Sequence, residues 1–312
     1  MKGLELSRSY FENFGKTMLE EFPDILPKIA AGLCGSGSEC FGFDDDISRD
    51  HDFEPGFCIF LPSEETVDRR SAFLLERAYS KLPSEHMGIK RLKIQPVGGP
   101  RHGVMRIEDF FKARTGSPDG HLTTDQWLSL PDYTLAEATN GEIFFDNLGQ
   151  ISRIREELSF YPEDIRKKKL AGNLLLMAQS GQYNYRRCLD HGETAAAQLA
   201  VDEFVRAGMA ACFLLNRRYQ PYYKWGFRAM RGLKKLPYLP DLLEYLLTAD
   251  NSQGNSGEKL SVIEGIAADI IDELSEQNLT KAICQDLEKH AYSVNDSIED
   301  PQIRNLHVLA AV

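Results

Sequence analysis

No apolar run in this chain approaches the length of a membrane span, and Met1-Lys2-Gly3-Leu4-Glu5 lacks the apolar core of a signal peptide. There is no CxxC pair. The six cysteines (Cys34, Cys40, Cys58, Cys188, Cys212 and Cys284) are scattered and sit mostly in apolar surroundings. They read as reduced, buried thiols in preference to a disulfide framework or a zinc site, so the expected location is the cytoplasm. Basic charge is also short: 36 Lys and Arg stand against 47 Asp and Glu, a net charge of −11. Broad non-specific binding to nucleic acid is thereby disfavoured, while a local basic strip that holds a nucleotide is not. Internal repeats and low-complexity tails are absent. At 312 residues with 42% hydrophobic and 27% charged content, the chain is long enough for two domains with real cores.

The informative stretch lies between Gly35 and Phe53. A Gly35-Ser36-Gly37-Ser38 turn precedes, by about a dozen residues, the sequence Asp50-His51-Asp52. Glycine permits positive φ and lets backbone approach an anion, while Ser36 and Ser38 add hydroxyl donors. No Lys follows the last glycine at the place a Walker loop requires. An ordinary helix-to-strand turn is the alternative. If Asp50 and Asp52 lie on a strand, alternation puts both on one face with His51 on the other. Two adjacent carboxylates repel unless a cation sits between them, which points to Mg²⁺ and phosphate oxygens. A structural ion pair with Arg49 or another Arg is the competing reading. The run Asp44-Asp45-Asp46 reads as solvated surface charge.

Periodicity divides the chain. Phe11, Phe14, Met18 and Phe22 predict a helix over 7–22 that Pro23 ends. Gly56 to Leu61 predicts a buried strand. A helix is expected over 64–82, with Val67, Phe73, Leu74, Ala78 and Leu82 as its apolar side. Ile89–Val97, Gly103–Ile107 and Glu142–Asp146 read as strands, and Ile107–Arg114 as a short helix. Beyond Ile151 the helical period takes over, clearest at 199–215 (Val201, Phe204, Val205, Gly208, Cys212, Leu215). Val262, Ile263, Ile266, Ile270 and Leu274 repeat it after a polar segment, Asp250–Glu258, expected to be a loop. The predicted organisation is α+β: a mixed sheet with flanking helices over 1–150, then an all-helical domain over 151–312.

The block GSGSECFGFDDDISRDHDFEPGFCIFLP resembles the nucleotidyltransferase superfamily of the DNA polymerase β-like fold, whose signature is Gly-Ser, a spacer, and Asp-x-Asp leading into a strand. Together with AQSGQYNYRR and LLNRRYQPYYKW, it is similar to the DUF4037 group within that superfamily, over most of residues 30–240. The resemblance implies a nucleotidyltransferase-fold sheet followed by a bundle like that of aminoglycoside nucleotidyltransferases. It implies that Asp50 and Asp52 hold Mg²⁺, with two ions possible, against the triphosphate of ATP or another NTP, and that Gly35, Ser36 and Ser38 meet a phosphate. A nucleoside monophosphate, AMP being the expected one, would pass to a hydroxyl of a small molecule or other acceptor. The family also places a third carboxylate on a later strand. The segment His102–Ile107 offers none, so Glu108 just beyond it ranks first, ahead of Glu142 and Asp146.

In the helical half, Asn184 and Arg187 lie one turn apart, and Asn216 and Lys224 accompany aromatics. These four are the expected phosphate-binding residues of a second wall, with the cleft between the domains; packing by Tyr and Trp is the alternative. Glu193 and Glu203 read as surface acids in preference to a general base. Two other functions compete. His51-Asp52 is the central dipeptide of HD-type metal phosphohydrolases, which a helix through residue 52 would favour. A catalytically inactive nucleotide-binding protein on the same fold would suit a missing third acid.

Overall fold

The computed structural model describes residues 1–47, 53–91 and 101–312. The chain forms two compact units. Met1–Leu122 and Tyr133–Ser159 make the first; Thr123–Asp132 and Phe160–Val312 make the second.

The first unit is built on a mixed sheet in the order β5-β2-β1-β6, formed by β1 (Ala30–Leu33), β2 (Cys58–Leu61), β5 (Gly103–Arg106) and β6 (Glu142–Asp146). β1 runs antiparallel to both β2 and β6, and β2 runs parallel to β5. β1 and β2 are buried along their whole length, as expected of continuous apolar runs in the middle of a sheet. Gly32 is needed where β1 bulges against β6, because a Cβ there would lie 2.4 Å from the Glu142 carbonyl oxygen. A small hairpin, β3 (Glu85–His86) with β4 (Ile89–Lys90), turns through Met87 and Gly88, both at positive φ. Of the strand expected over Ile89–Val97, only its first residues are described.

The amino-terminal helical stretch covers one side of the sheet. It consists of α1 (Gly3–Tyr10), a π turn at Phe11–Gly15 and α2 (Lys16–Glu20). Tyr10, Phe11, Met18 and Leu19 join Phe57, Ile59 and Leu61 in the core. The helix starts earlier than periodicity indicates, because its first N–H groups are capped. Gly3 donates to Asp44 Oδ2 at 2.9 Å and Lys2 to Glu5 Oε2 at 2.9 Å. Asp44 is therefore buried at 3% exposure, not the solvated surface charge the sequence suggested. α3 (Arg69–Ser80) begins at its Asp68 cap, which accepts from Ser71 at 2.7 Å. Its buried face is Leu75 and Tyr79, while Phe73 and Leu74 point to solvent, a rotation from the predicted apolar side. The anchor is Tyr79, whose hydroxyl accepts from the Phe57 N–H at 3.0 Å. α4 (Ile107–Thr115) follows β5 and ends at Gly116, φ +74°.

Next come α5 (Thr124–Ser129), α6 (Asp132–Thr139) and α7 (Gln150–Glu157). The second unit continues with α8 (Glu163–Met177), a π segment at Ala178–Tyr185, α9 (Arg186–Asp190), α10 (Thr194–Leu215), α11 (Tyr223–Met230), α12 (Leu239–Thr248), α13 (Gln253–Glu276), α14 (Leu287–Asp296) and α15 (Pro301–Arg304). Among the described residues no strand lies beyond Asp146. All six residues predicted for the α10 face are buried. The polar segment from Asp250 is helical from Gln253, not a loop throughout. A buried Lys259 stabilises this start, donating to Ala249 O, Asn251 Oδ1 and Gln198 Oε1 at 3.0, 2.9 and 3.3 Å. The molecule is thus α+β, a mixed sheet with flanking helices followed by helices alone. Among the described residues no helix is long and apolar enough to cross a membrane.

Candidate functional site

Strand direction gathers the first-unit motif. β1 leaves the sheet at Leu33 and runs into Gly35-Ser36, while β2 enters beside it, Gly32 facing Cys58. β5 and β6 also begin at this end, with Gly103 beside Cys58 and Glu142 beside Leu33. The Gly/Ser turn, the approach to β2 from Phe53, His102 and Asn140 therefore share one end of the sheet. Asp50 and Asp52 precede that approach in sequence. Both lie outside the described residues, with Ser48, Arg49 and His51. The expected one-face pairing of the acids, the Arg49 alternative and the helix-or-strand distinction fall there too.

The turn itself is built in detail. Gly35 and Gly37 hold φ of +113° and +125°, conformations that exclude a side chain. The Asn140 amide clamps Gly35 from both sides: the Gly35 N–H donates to Oδ1 at 2.8 Å, and Nδ2 donates to the Gly35 carbonyl at 2.8 Å. The Gly35 N–H thus faces Asn140. The Ser36 hydroxyl donates to Glu137 Oε2 at 2.7 Å. Ser38 opens a single 3₁₀ turn, its carbonyl accepting from Phe43 at 2.8 Å.

Two guanidinium groups border this turn. A Cβ on Gly35 would stand 2.5 Å from Arg114 Nη2, so the Arg114 head lies directly against the glycine. Arg114 stacks 3.9 Å from the Phe110 ring centroid and donates through Nη1 to Phe110 O at 2.9 Å, but its buried Nε has no hydrogen-bond partner. Arg155 donates through Nη2 to Thr139 O at 2.9 Å, and its buried Nη1 likewise has none. Burial pushes the adjacent Cys34 thiol up to about 11, with both arginines pulling the other way. Orphaned charged N–H groups beside a glycine turn suit an anion, since leaving such donors dry is costly.

Acids occur at this end as well. Glu39 is 8% exposed, with one carboxylate oxygen unpartnered; burial pushes its pKa up, opposed by His102 and Arg101. His102 Nδ1 lies 3.3 Å from Glu54 Oε1. Glu142 is bonded to Arg8. Among the described residues no group of three or more His, Cys, Asp or Glu is arranged to hold a metal ion.

Glu108 is not brought to this end. β5 runs from Gly103 here to Arg106 at the opposite edge, and Glu108 is exposed in the first turn of α4 beyond it. Asp146 is also at the far end, paired with Ala30, and accepts from the Ser152 N–H at 2.8 Å. Asn140, Glu137, Arg114 and Arg155 escaped the sequence reading because each reaches the turn from many residues away, with no local pattern to mark it. Glu137 is the exception: the apolar Leu135, Ala136 and Ala138 of α6 are the local pattern that leads to it.

In the second unit, Asn184 sits exposed in the π segment and Arg187 in α9, its guanidinium 5.1 Å from the Tyr183 ring centroid. Gly181 and Gln182 of that motif pack, whereas Tyr183 and Arg186 are exposed. A Cβ on Gly181 would meet Phe204 at 2.2 Å, and Gln182 bonds to Glu264, Gln285 and Leu287. Asn216 closes α10: Nδ2 donates to Cys212 O and Lys235 O at 2.8 and 3.1 Å, and Oδ1 accepts from Lys235 N at 2.8 Å. Lys224 is exposed, with Nζ 5.1 Å from the Trp225 ring centroid.

Residues 127–226 match the model of DUF4037, a domain of unknown function. That stretch contains the second and third of the motifs that carry the resemblance to DUF4037, AQSGQYNYRR and LLNRRYQPYYKW. Within the DUF4037 match lie Glu137 and Asn140, which hold the glycine turn, and Arg155 beside it. A solved structure, that of a nucleotidyltransferase-like protein from Exiguobacterium sibiricum, is similar at 13% identity over 93% of this chain and 81% of that one, with a TM-score of 0.38. None of the curated proteins matches.

Proposed function

We propose that this chain is a Mg²⁺-dependent nucleotidyltransferase that moves a nucleoside monophosphate, AMP from ATP in the first instance, onto an acceptor hydroxyl. One observation carries the reading. The Gly35-Ser36 turn and the start of β2, which the Asp50-His51-Asp52 segment precedes, lie side by side at one end of the sheet, with unpartnered guanidinium N–H groups of Arg114 and Arg155 at the turn. The described residues fit the anionic half of a metal–triphosphate: dry cationic donors and a glycine turn. The cationic half rests on Asp50 and Asp52.

In this reading Ser36, Arg114 and Arg155 hold the phosphates, and Asn140 fixes the turn that presents them. The single Ser36 O–H, which goes to Glu137 Oε2 in the free chain, turns from that carboxylate to the phosphate when nucleotide binds. Asp50 and Asp52 would hold Mg²⁺, which when bound would neutralise charge on the attacking and leaving oxygens. The acceptor hydroxyl bonds through its oxygen to the α-phosphorus and loses its proton to solvent, as the bond to the bridging oxygen breaks and pyrophosphate leaves. Orientation and fixed charge carry most of the rate. Asn216 has a structural part, and this reading gives no step to Asn184, Arg187 or Lys224.

Titration calorimetry with ATP and Mg²⁺, followed by pyrophosphate release, tests this. Asp50→Asn and Asp52→Asn are each expected to lower turnover by about 100-fold or more with the melting temperature unchanged. Arg114→Gln is expected to weaken nucleotide binding by about 10-fold, the scale of one charge-assisted bond. Undiminished pyrophosphate release in both aspartate variants would overturn the assignment.

A further inference from the structure

Between Arg217 and Lys235 the chain contains seven Lys or Arg (Arg217, Arg218, Lys224, Arg228, Arg231, Lys234 and Lys235) and no Asp or Glu, although the protein as a whole carries −11. All seven are exposed. Arg217 spends part of its charge on Glu163 at 2.7 Å, Arg231 on Glu244 at 2.6 Å and Lys235 on Glu273 at 3.1 Å, and Arg228 makes contacts of its own. Flat rings alternate with these charges. Tyr222 and Tyr223 are 45% and 74% exposed with centroids 4.5 Å apart, and Lys224 and Arg228 each lie 5.1 Å from the Trp225 ring.

An ordinary solvated basic face has no use for large exposed aromatics beside its charges. A membrane surface would be met by an apolar helix face, yet α11 turns Gly226 and Met230 inward and shows solvent Tyr223, Lys224 and Arg228. Cations that track a phosphate backbone, alternating with rings on which bases stack, are the two elements of single-strand recognition. We infer that the surface formed by Arg218, Tyr222, Tyr223, Lys224, Arg228 and Lys234 binds a single-stranded polynucleotide. Net charge hides this, because an acidic protein concentrates its basic residues where the polyanion docks and repels it elsewhere.

The test is fluorescence anisotropy of the full chain with a fluorescein-labelled 20-nucleotide RNA, the DNA of the same sequence, and the blunt duplex, at about 50 and 200 mM salt. Saturable binding of a single strand that falls steeply with salt is expected, whether RNA or DNA binds more tightly. The triple variant Arg218→Glu/Lys224→Glu/Lys234→Glu should lose at least 10-fold affinity, and the log–log salt slope should drop by about 2. Tyr223→Ala should lose about 10-fold with the slope unchanged, the scale of one stacked base. Lys16→Glu/Lys28→Glu/Lys90→Glu makes the same charge change on exposed residues of the first unit and should leave affinity within about 3-fold. Three results would overturn the inference: no saturable single-strand binding at low salt, equal losses in both triple variants, or a duplex bound as tightly as the strands. The measurement uses no nucleoside triphosphate and no turnover, so the transferase reading stands or falls separately.

Discussion

Glu39 directly follows the candidate phosphate turn, buried, with one oxygen that meets no donor. Burial raises its pKa in the folded protein. A carboxyl with a raised folded pKa binds its proton more tightly folded than unfolded. Its stabilising share is therefore full below the unfolded value near 4.3 and is lost as pH rises through the folded value. Glu39→Gln removes that loss. The variant is expected to be more stable than the parent at pH 7.5, with the gap closing towards pH 4. Urea midpoints at the two pH values decide it. A gap of equal size at both, or a less stable variant at pH 7.5, would show that the carboxylate is held by something other than desolvation.

At the scale of elements, the turn after β1 is held by the segment that leads into β6. Asn140 makes both hydrogen bonds to Gly35, and Gly141, at φ +68°, donates to Cys40 O at 2.9 Å. Asn140→Ala strips the clamp and leaves a backbone N–H and C=O without partners. A loss of about 2 kcal/mol is expected, together with weaker ATP binding, since the turn then samples other conformations. Calorimetric melting and nucleotide titration report the two effects, and an unchanged ATP affinity would separate the clamp from the site. This dependence also explains what the sequence could and could not show. Periodicity exposed the buried faces of α10 and α13 and the short apolar strand β2, because those signals live within a few turns of chain. The Gly/Ser turn was legible for the same reason. The α3 face was misread because Tyr79 is chosen by a backbone N–H at Phe57, not by hydropathy. Asp44 was misread because the helix end it caps is 41 residues away. Arg114, Glu137, Asn140 and Arg155 are ordinary residues until the sheet places them around Gly35.

Over the whole molecule the cysteines report on this packing. Cys34, Cys40 and Cys58 lie in the core of the first unit and Cys212 in that of the second, whereas Cys188 is half-buried and Cys284 exposed. Burial raises all four core thiols, Cys34 to about 11 and Cys212 to about 12. At pH 8 an ordinary thiol is about a quarter ionised, while a group near 11 is ionised to about one part in a thousand, and only the thiolate reacts. A disulfide reagent should therefore label Cys284 at once, Cys188 more slowly, and the other four only with unfolding. Cys34, Cys40 and Cys58 flank one end of one sheet, around the turn that Asn140 clamps. Their labelling should rise together along a urea series read by mass spectrometry, independently of Cys212. Reaction of Cys34 or Cys40 in native buffer, ahead of Cys58, would mean that the glycine turn opens without the sheet. The candidate phosphate site would then be a moving part, and the preformed arrangement of Arg114 and Arg155 around Gly35 would no longer explain anion binding.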